Sequence, residues 1–406
     1  MATKFQFKNY ILGIQHVLAM FGSTVLVPFI TGLDASIALL CAGLGTLLFQ
    51  LTTKGIVPVF LGSSFAFISA MLLVLKEYDA TYLKGGIIVA GVCYILFAVL
   101  VKIYGPQKIK SFFPPIVLGP IIIAIGLKLS PIALDMSGYS MTNPNYIYLA
   151  IAFITLLTMV GVSFLQKSFF RFMPIIIAIF VGFIVSMLCG LVDFSHIHEA
   201  SWFGLSDKAL STIFSMPKFN LSVILIVAPI SLVTFLEHLG DIQANGSVVG
   251  KDFTKDPGLH RTLLGDGLST MLAGLLGGPA STTYAENTGV LAATKVYDPR
   301  ILRIAAFMAV ILAFMGKLTA LIHSLPTPVM GGISMLLFGL IATIGIRVII
   351  EAKLDFNNYK NLTIPALILI VGIFVDTLKF TEHVEFSGLF LATILGVILN
   401  KILPDR

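Results

Sequence analysis

The sequence predicts an all-α polytopic membrane protein of fourteen spans, arranged as two inverted sets of seven, with short strands breaking spans 3 and 10. Three observations predict it. Of 406 residues, 57% are hydrophobic and only 11% charged, whereas an ordinary globular chain carries about a quarter charged residues. Apolar stretches of about 20 residues, the length that crosses the hydrocarbon core of a bilayer, follow one another with little chain between them. Short polar matches recur in the same order in the two halves.

The spans begin near residues 10, 34, 58, 86, 115, 146, 173, 220, 259, 281, 301, 329, 362 and 386. The N-terminus, with Lys4 and Lys8, lacks the short apolar core and cleavage site of a signal peptide, so the first span is expected to be retained, with no soluble domain attached. A net charge of +6 would suggest nucleic acid as a partner in a soluble chain. Here the basic residues sit in short loops, and most of them, from Lys4, Lys8 and Lys54 to Arg347, Lys401 and Arg406, fall on the side of the termini. The positive-inside rule then places both termini in the cytoplasm and excludes nucleic-acid binding as the reason for the charge. Lys317 alone is expected within a span. Cys41, Cys93 and Cys189 are far apart in apolar segments and are read as packing residues.

Three matches define the repeat. Gln15-His16 in span 1 answers to Glu237-His238 in span 8, Ser63 to Phe67 (SSFAF) in span 3 to Thr282 to Glu286 (TTYAE) in span 10, and Pro114 to Gly119 to Pro326 to Gly331. The shared order and a spacing of about 210–220 residues divide the chain into sevens. Seven is odd, so the second set enters the membrane from the opposite side, the plan of many secondary transporters with a site near the midplane. Span 10 holds Ser281-Thr282-Thr283-Tyr284-Ala285-Glu286-Asn287, a run that no lipid-facing helix tolerates. A short strand to about Tyr284 and a half-helix from Asn287 are expected there, with the same plan in span 3, where Pro58, Gly62 and Ser63-Ser64 break the helix. The two strands are expected to pair across the pseudo-twofold axis, aiming two half-helix N-termini, with unpaired N–H groups, at one point.

Only Glu237, Asp241, Asp266 and Glu286 are acids inside spans. Each costs about 2.5–3.5 kcal/mol to insert at a helix centre, so a functional role is the default. Glu237 and Asp241 share one face of span 8, a turn apart. Carboxylates held close together in low dielectric keep a proton among them at neutral pH and release it when the site opens to water, as a proton-coupled carrier requires. The bland alternatives are helix capping for Glu286 and ion pairing for Asp266, which follows Arg261 by about a turn. His16 and His238 are expected to pack or hydrogen-bond. His196 and His198 are two ligands at most and do not make a metal site. Phe65, Phe67, Tyr284 and Phe338 are flat surfaces on which a ring can stack, although with 32 phenylalanines the expectation for any one is core packing. Carboxylates accept hydrogen bonds and helix N-termini donate them, so the fitting ligand is neutral with alternating N–H and C=O edges, such as an oxo-pyrimidine or oxo-purine base. An anion would be repelled; a sugar fits the polarity but is not selected by shape. No nucleophile with a positioned base, metal cluster or phosphate loop supports an enzyme.

These residues give the chain a resemblance to a known family. Nearly the whole sequence resembles the nucleobase–ascorbate transporters, also called nucleobase:cation symporters, and most closely their bacterial uracil permease branch. The match lies in Gln15-His16, in TFLEHLGDIQANG around Glu237, in DPGLHRTLLGDGLST from Asp256 to Thr270, and in Glu286-Asn287-Thr288-Gly289 followed by Thr294. The resemblance implies a core domain of spans 1 to 4 (residues 1–110) and 8 to 11 (216–325), and a gate domain of spans 5 to 7 (111–215) and 12 to 14 (326–406). It also implies uracil import by proton symport, movement of core against gate, a homodimer joined through the gates, and a place in the bacterial inner membrane. Glu237 and Glu286 match the glutamates that hold the base, and Phe65 and Ala285 the positions whose backbone contacts it. Asp241, with Glu237 and Glu286, is expected to carry the proton; Tyr284, Asn287, Gln15, His16 and Phe338 support the site. Purine-transporting members usually have glutamine where Glu286 stands, which favours uracil over xanthine or urate. Asp241 departs from a histidine found in some uracil permeases, and Phe338 from a tyrosine. No cofactor or metal is expected; sodium is the alternative coupling ion, and a purine symporter or an anion exchanger of similar fold the alternative carrier.

Overall fold

A chain in lipid has no water with which to satisfy its backbone, so each N–H and C=O at membrane depth needs a partner within the protein. In the computed structural model, which describes residues 7–106, 108, 114–165, 173–381 and 384–404, helices meet most of this demand. The first half runs α1 (Phe7–Thr31), α2 (Ala35–Thr52), β1 (Leu61–Ser63), a tight turn at Phe65–Phe67, α3 (Ile68–Glu77), α4 (Ala80–Tyr104), α5 (Pro115–Met136), α6 (Tyr146–Ser163) and α7 (Pro174–Leu188). Two short helices, α8 (Ser195–Glu199) and α9 (Asp207–Phe214), lead to α10 (Leu221–Val227), α11 (Ile230–Val249), α12 (Leu259–Leu276), β2 (Ser281–Thr283), α13 (Ala285–Thr294), α14 (Pro299–Ala313) and α15 (Gly316–His323). The chain ends with α16 (Thr327–Glu351), α17 (Tyr359–Phe374), a hairpin of β3 (Thr377–Thr381) and β4 (Val384–Ser387), and α18 (Gly388–Ile402). Among the described residues seven helices, with α10 and α11 taken as one, are long and apolar enough to cross a membrane. The protein is therefore a multi-pass membrane protein. α7, α17 and α18 are apolar but shorter, and the stretches near 58 and 281 are a strand followed by a helix.

The strand pair expected at the centre is present. β1 and β2 run antiparallel with Leu61 opposite Thr283, Gly62 opposite Thr282 and Ser63 opposite Ser281. The ladder is extended at both ends, by Ser64 N–H to the Ala280 carbonyl at 2.8 Å and Tyr284 N–H to that of Phe60 at 3.0 Å. Its outer edges are covered by equivalent threonines of the two halves. The Thr46 hydroxyl on α2 accepts from the Leu61 N–H at 2.9 Å, and the Thr270 hydroxyl on α12 donates to the Ser281 carbonyl at 3.1 Å. Six backbone groups that lipid would leave bare are thus satisfied within the protein by four hydrogen bonds.

The helices obey the same twofold plan. α4 packs along α12 and, in the counterpart arrangement, α2 along α14; α5 packs on α16, its own counterpart. Small residues permit these approaches, as is usual in membranes where burial alone does not drive helices together. A Cβ on Gly119 of α5 would stand 2.9 Å from the Gly345 carbonyl of α16, and one on Gly345 would stand 2.5 Å from that of Gly119. α6, α7, α17 and α18 join α5 and α16, whereas α1 joins α2 and α14.

The structure corrects the sequence reading in three places. The second half-helix begins at Ala285, two positions before Asn287, because β2 ends at Thr283. α14 and α15 are bent by 79° at their junction, so Lys317 does not lie within a continuous span; it stands on the first turn of α15, with its ammonium 3.0 Å from the His198 carbonyl. The β3–β4 hairpin was not anticipated; β4 packs against α10.

Lys317 belongs to a pattern. Lys84 on α4 is 1% exposed, and its ammonium donates to the carbonyls of Thr212 at 2.7 Å and Ser215 at 2.6 Å, where α9 ends. Lys128 on α5 donates to the Val375 carbonyl at 2.6 Å, just past α17, and pairs with Asp376 at 3.2 Å. Each of the three lysines supplies a cation to the negative end of another helix. Lys84→Met keeps the length of the side chain but strips its donors from the carbonyls. It is expected to cost about 1–3 kcal/mol of stability, visible as a lower melting temperature in detergent and faster hydrogen exchange over 207–218. Unchanged values for both would show that the ammonium is dispensable there.

Candidate functional site

The β1–β2 pair determines where two helices start. The Phe65–Phe67 turn leaves β1 and α13 leaves β2, so their first peptide N–H groups converge on one region. Neither start has a side-chain cap: Ser64 before the turn and Tyr284 before α13 make no capping hydrogen bond. Other starts are mixed: Asp34, Asp79, Asn145 and Asp298 cap α2, α4, α6 and α14, whereas α5, α7, α12 and α16 also begin without a side-chain cap. At Asp298, outside the membrane, the Arg300 side chain also donates to the carboxylate and holds it below the usual carboxylate range. The uncapped starts after β1 and β2 leave donors available in the middle of the protein.

Three acids face this region. Glu237 and Asp241 are half-buried on α11 and Glu286 is half-buried in the first turn of α13, close enough for the three carboxylates to repel one another. Each of two is fixed by one hydroxyl. Ser23 on α1 donates to Glu286 at 2.6 Å, and Thr283 at the end of β2 donates to Asp241 at 2.7 Å. Glu286 therefore does not cap its own helix. Gly240 and Ala244 on the same face of α11, and Ala285 and Gly289 on α13, are exposed, so both acidic faces border accessible space. A cavity of about 260 Å³ begins at Glu286 and follows Gly289, Val290 and Ala293 along α13, closed on its far side by Leu18 and Ala19 of α1 and by Met173, Pro174 and Ile175 at the start of α7.

Polar side chains behind the acids hold the elements in place. The Asn287 amide donates to the His16 carbonyl and lies against His16 Nδ1, both at 3.1 Å, joining α13 to α1. His16 and Ser23 are seven residues apart, two turns along one stripe of α1. Asn245 of α11 donates to the Pro58 carbonyl at 3.0 Å and the Thr288 hydroxyl at 3.1 Å, tying both broken segments to α11. His238 points the opposite way from Glu237: its Nε2 lies 2.9 Å from the Thr262 hydroxyl and its Nδ1 2.9 Å from Asp266, both partners fully buried on α12. Asp266 is thus a partner of His238 and not of Arg261, whose Nη1 donates to the Thr52 carbonyl at 3.2 Å.

Of the aromatic candidates, Phe65 is half-buried and meets the ring of Phe338 from α16 edge to face, with centroids 6.2 Å apart. Phe338 and Phe67 are buried, so Phe65 offers the accessible ring. Tyr284 is buried as well; its ring covers Gly62, and its hydroxyl donates to the Ser63 carbonyl at 3.0 Å. It locks the strands together and offers no stacking face. Gln15, about 100° round α1 from His16, is buried and makes no hydrogen bond to the three acids among the described residues. Ser23, Thr283 and Asn245 were not singled out from the sequence. Ser23 carried a signal, its seven-residue spacing from His16; Thr283 and Asn245 became meaningful only when strand and helices met.

Comparison with known proteins bears on the family and the fold. The family model described as Permease family, Xan_ur_permease, matches residues 7–380. The uracil permease of Bacillus caldolyticus is 42% identical over 399 residues, covering 97% of this chain and 92% of that protein. The uracil permease of Paenibacillus larvae is 43% identical over 395 residues, covering 96% and 92%. The putative pyrimidine permease RutG of Escherichia coli is 36% identical over 408 residues, covering 98% and 89%. Among solved structures, the murine anion transporter Slc26a9 in its inward-facing state aligns with a TM-score of 0.75 over 99% of this chain and 69% of its own, at 12% identity. The transmembrane domain of the cyanobacterial bicarbonate transporter BicA aligns with a TM-score of 0.69, over 97% and 99%, at 16% identity. At such identities the likeness is one of fold. Sequence matches that run almost from end to end carry the assignment further: the chain belongs to the nucleobase–ascorbate transporter family of permeases, and it is a transporter and not an enzyme.

Proposed function

We propose that the protein is a secondary active transporter that imports uracil with a proton across the bacterial inner membrane, its termini in the cytoplasm. One observation carries the reading: the half-buried carboxylates of Glu237, Asp241 and Glu286 stand together where the paired strands give way to two helix starts without side-chain caps, and Glu286 lines a cavity. Uracil presents N–H groups to the first and carbonyls to the second, so one small neutral molecule satisfies both. Relatives named uracil permease at 42% and 43% identity support that cargo. Glutamate at position 286 supports a pyrimidine over a purine, and the cluster of Glu237, Asp241 and Glu286, the last of which lines the cavity, disfavours an anion as cargo, although solved anion transporters share the fold.

The substrate-binding residues in this reading are Glu237, Glu286 and the backbone at Phe65 and Ala285. Asp241, held by Thr283, exchanges the coupled proton with Glu237 and Glu286, because burying several charges together without one is costly. Spans 1 to 4 and 8 to 11 form a core that carries the site, and spans 5 to 7 and 12 to 14 a gate; the packing of α5, α6, α7, α16, α17 and α18 on one another supports this division. All fourteen stretches cross the membrane, and two copies associate through their gates. The cavity follows α13 as far as Ala293, and the positive charge of Lys295 just beyond supports a cytoplasmic position for that end.

Uptake of labelled uracil into proteoliposomes tests the reading. Accumulation is expected with an imposed inward proton gradient, to disappear with a protonophore, and to persist in excess xanthine. Accumulation driven only by sodium would replace the coupling ion, and competition by xanthine would replace the cargo.

A further inference from the structure

A second cavity of about 260 Å³ lies between the last turns of α4 and the first turns of α12 and shares no residue with the one at Glu286. One wall is apolar, made by Ile95, Ala98 and Val99 of α4 and Leu264 of α12; the other carries Lys102, His260 and Arg261. The outer face of α4 beside it presents Leu96, Val99, Leu100 and Ile103, all exposed, as a surface that meets hydrocarbon. α4 ends two residues past Lys102, at Tyr104, an aromatic residue of the kind that sits at the edge of a membrane. The cavity therefore opens on lipid, with its basic groups at the boundary where headgroups lie.

Those groups are positioned and lack acidic partners. Arg261 is held by its bond to the Thr52 carbonyl. The His260 ring lies over Gly258, whose φ of +98° and missing side chain make room for it: a Cβ there would stand 2.7 Å from the ring. Among the described residues none of the three forms an ion pair with a carboxylate; Asp252, eight residues before His260, pairs with Lys255 at 3.4 Å and accepts from Thr254.

We infer that this cavity is a binding site for an anionic phospholipid, with the headgroup phosphate on Lys102, His260 and Arg261 and an acyl chain along Ile95, Val99 and Leu264. A basic pocket between helices at the membrane surface matches a phosphodiester of net negative charge. A zwitterionic headgroup brings its own ammonium to a cationic site, and free phosphate leaves the apolar wall unused. The inference rests on the chain crossing a membrane and is independent of the cargo.

Native mass spectrometry of the purified protein, equilibrated with equal amounts of phosphatidylglycerol and phosphatidylethanolamine of matched chains, tests it. Preferential retention of phosphatidylglycerol is expected. Lys102 is exposed and holds no other element, so Lys102→Ala should fold and lower that retention about fivefold, the worth of one cation at a membrane surface. Lys251→Ala removes an exposed cation that does not line the cavity and should leave retention unchanged. Equal retention of the two lipids, equal loss in the two variants, or displacement of phosphatidylglycerol by equimolar inorganic phosphate would overturn the site.

Discussion

Glu286→Gln is expected to lower uracil uptake roughly 10- to 150-fold, the equivalent of losing one hydrogen bond to a charged group, about 1.5–3 kcal/mol. The substitution changes little in shape. Ser23 still has an oxygen to donate to, and the bond between Asn287 and His16 that ties α13 to α1 is untouched. What is lost is one acceptor position and the negative charge: the amide turns an N–H toward a place where the ligand also presents N–H. The same change suits a base with an acceptor there, so xanthine uptake, measured in parallel, is expected to rise relative to uracil. Labelled-base uptake with wild-type and variant protein, at equal amounts in the membrane, reads both. Wild-type uracil uptake by the variant would remove Glu286 from the binding site.

Gly62→Ala should have a comparable effect for a different reason. A Cβ at this position of β1 would stand 2.4 Å from two carbon atoms of the Tyr284 ring, which is itself pinned by its hydroxyl to Ser63. Either the ring or the strand has to move. Overpacking of this kind costs about 1–3 kcal/mol, and here it acts on the register that sets where the Phe65 turn and α13 begin. A lower melting temperature in detergent is expected together with loss of uptake. An alanine variant with wild-type melting and uptake would mean that the ring relaxes freely and that the strand pair tolerates displacement.

The central strand pair was legible because Ser281 to Asn287 and the Pro58–Ser64 segment are too polar or too broken to be ordinary helices, yet are flanked by apolar chain on both sides. The acids stood out for the same reason: charge in lipid is rare, so Glu237, Asp241, Asp266 and Glu286 drew attention without any structure. Partners were harder. Spacing along α11 places His238 on a different face from Glu237, but nothing in the sequence says that the other face meets Asp266 and Thr262 of α12. The 79° bend before α15 was hidden by continuous apolar composition, since Ala313 to Gly316 contains no proline. The β3–β4 hairpin does show alternation in Thr377-Leu378-Lys379-Phe380, which is visible once a strand is considered but too short to outweigh the helical stretches on either side. Lysine caps such as that of Lys84 depend on a helix distant in sequence ending at the right depth, a relation that composition does not encode.

The pairing of β1 with β2 also constrains how the protein is made. Leu61 to Ser63 leave the ribosome well before Ser281 to Thr283 exist, and at about 5–20 residues per second the interval is roughly 10–45 s. Through that time the edge of β1 that will face β2 has no strand to pair with, although Thr46 already covers the other edge. The first half of the chain therefore cannot complete the strand pair during its own translation. A chain that stalls between the two strands leaves that edge of β1 without its partner.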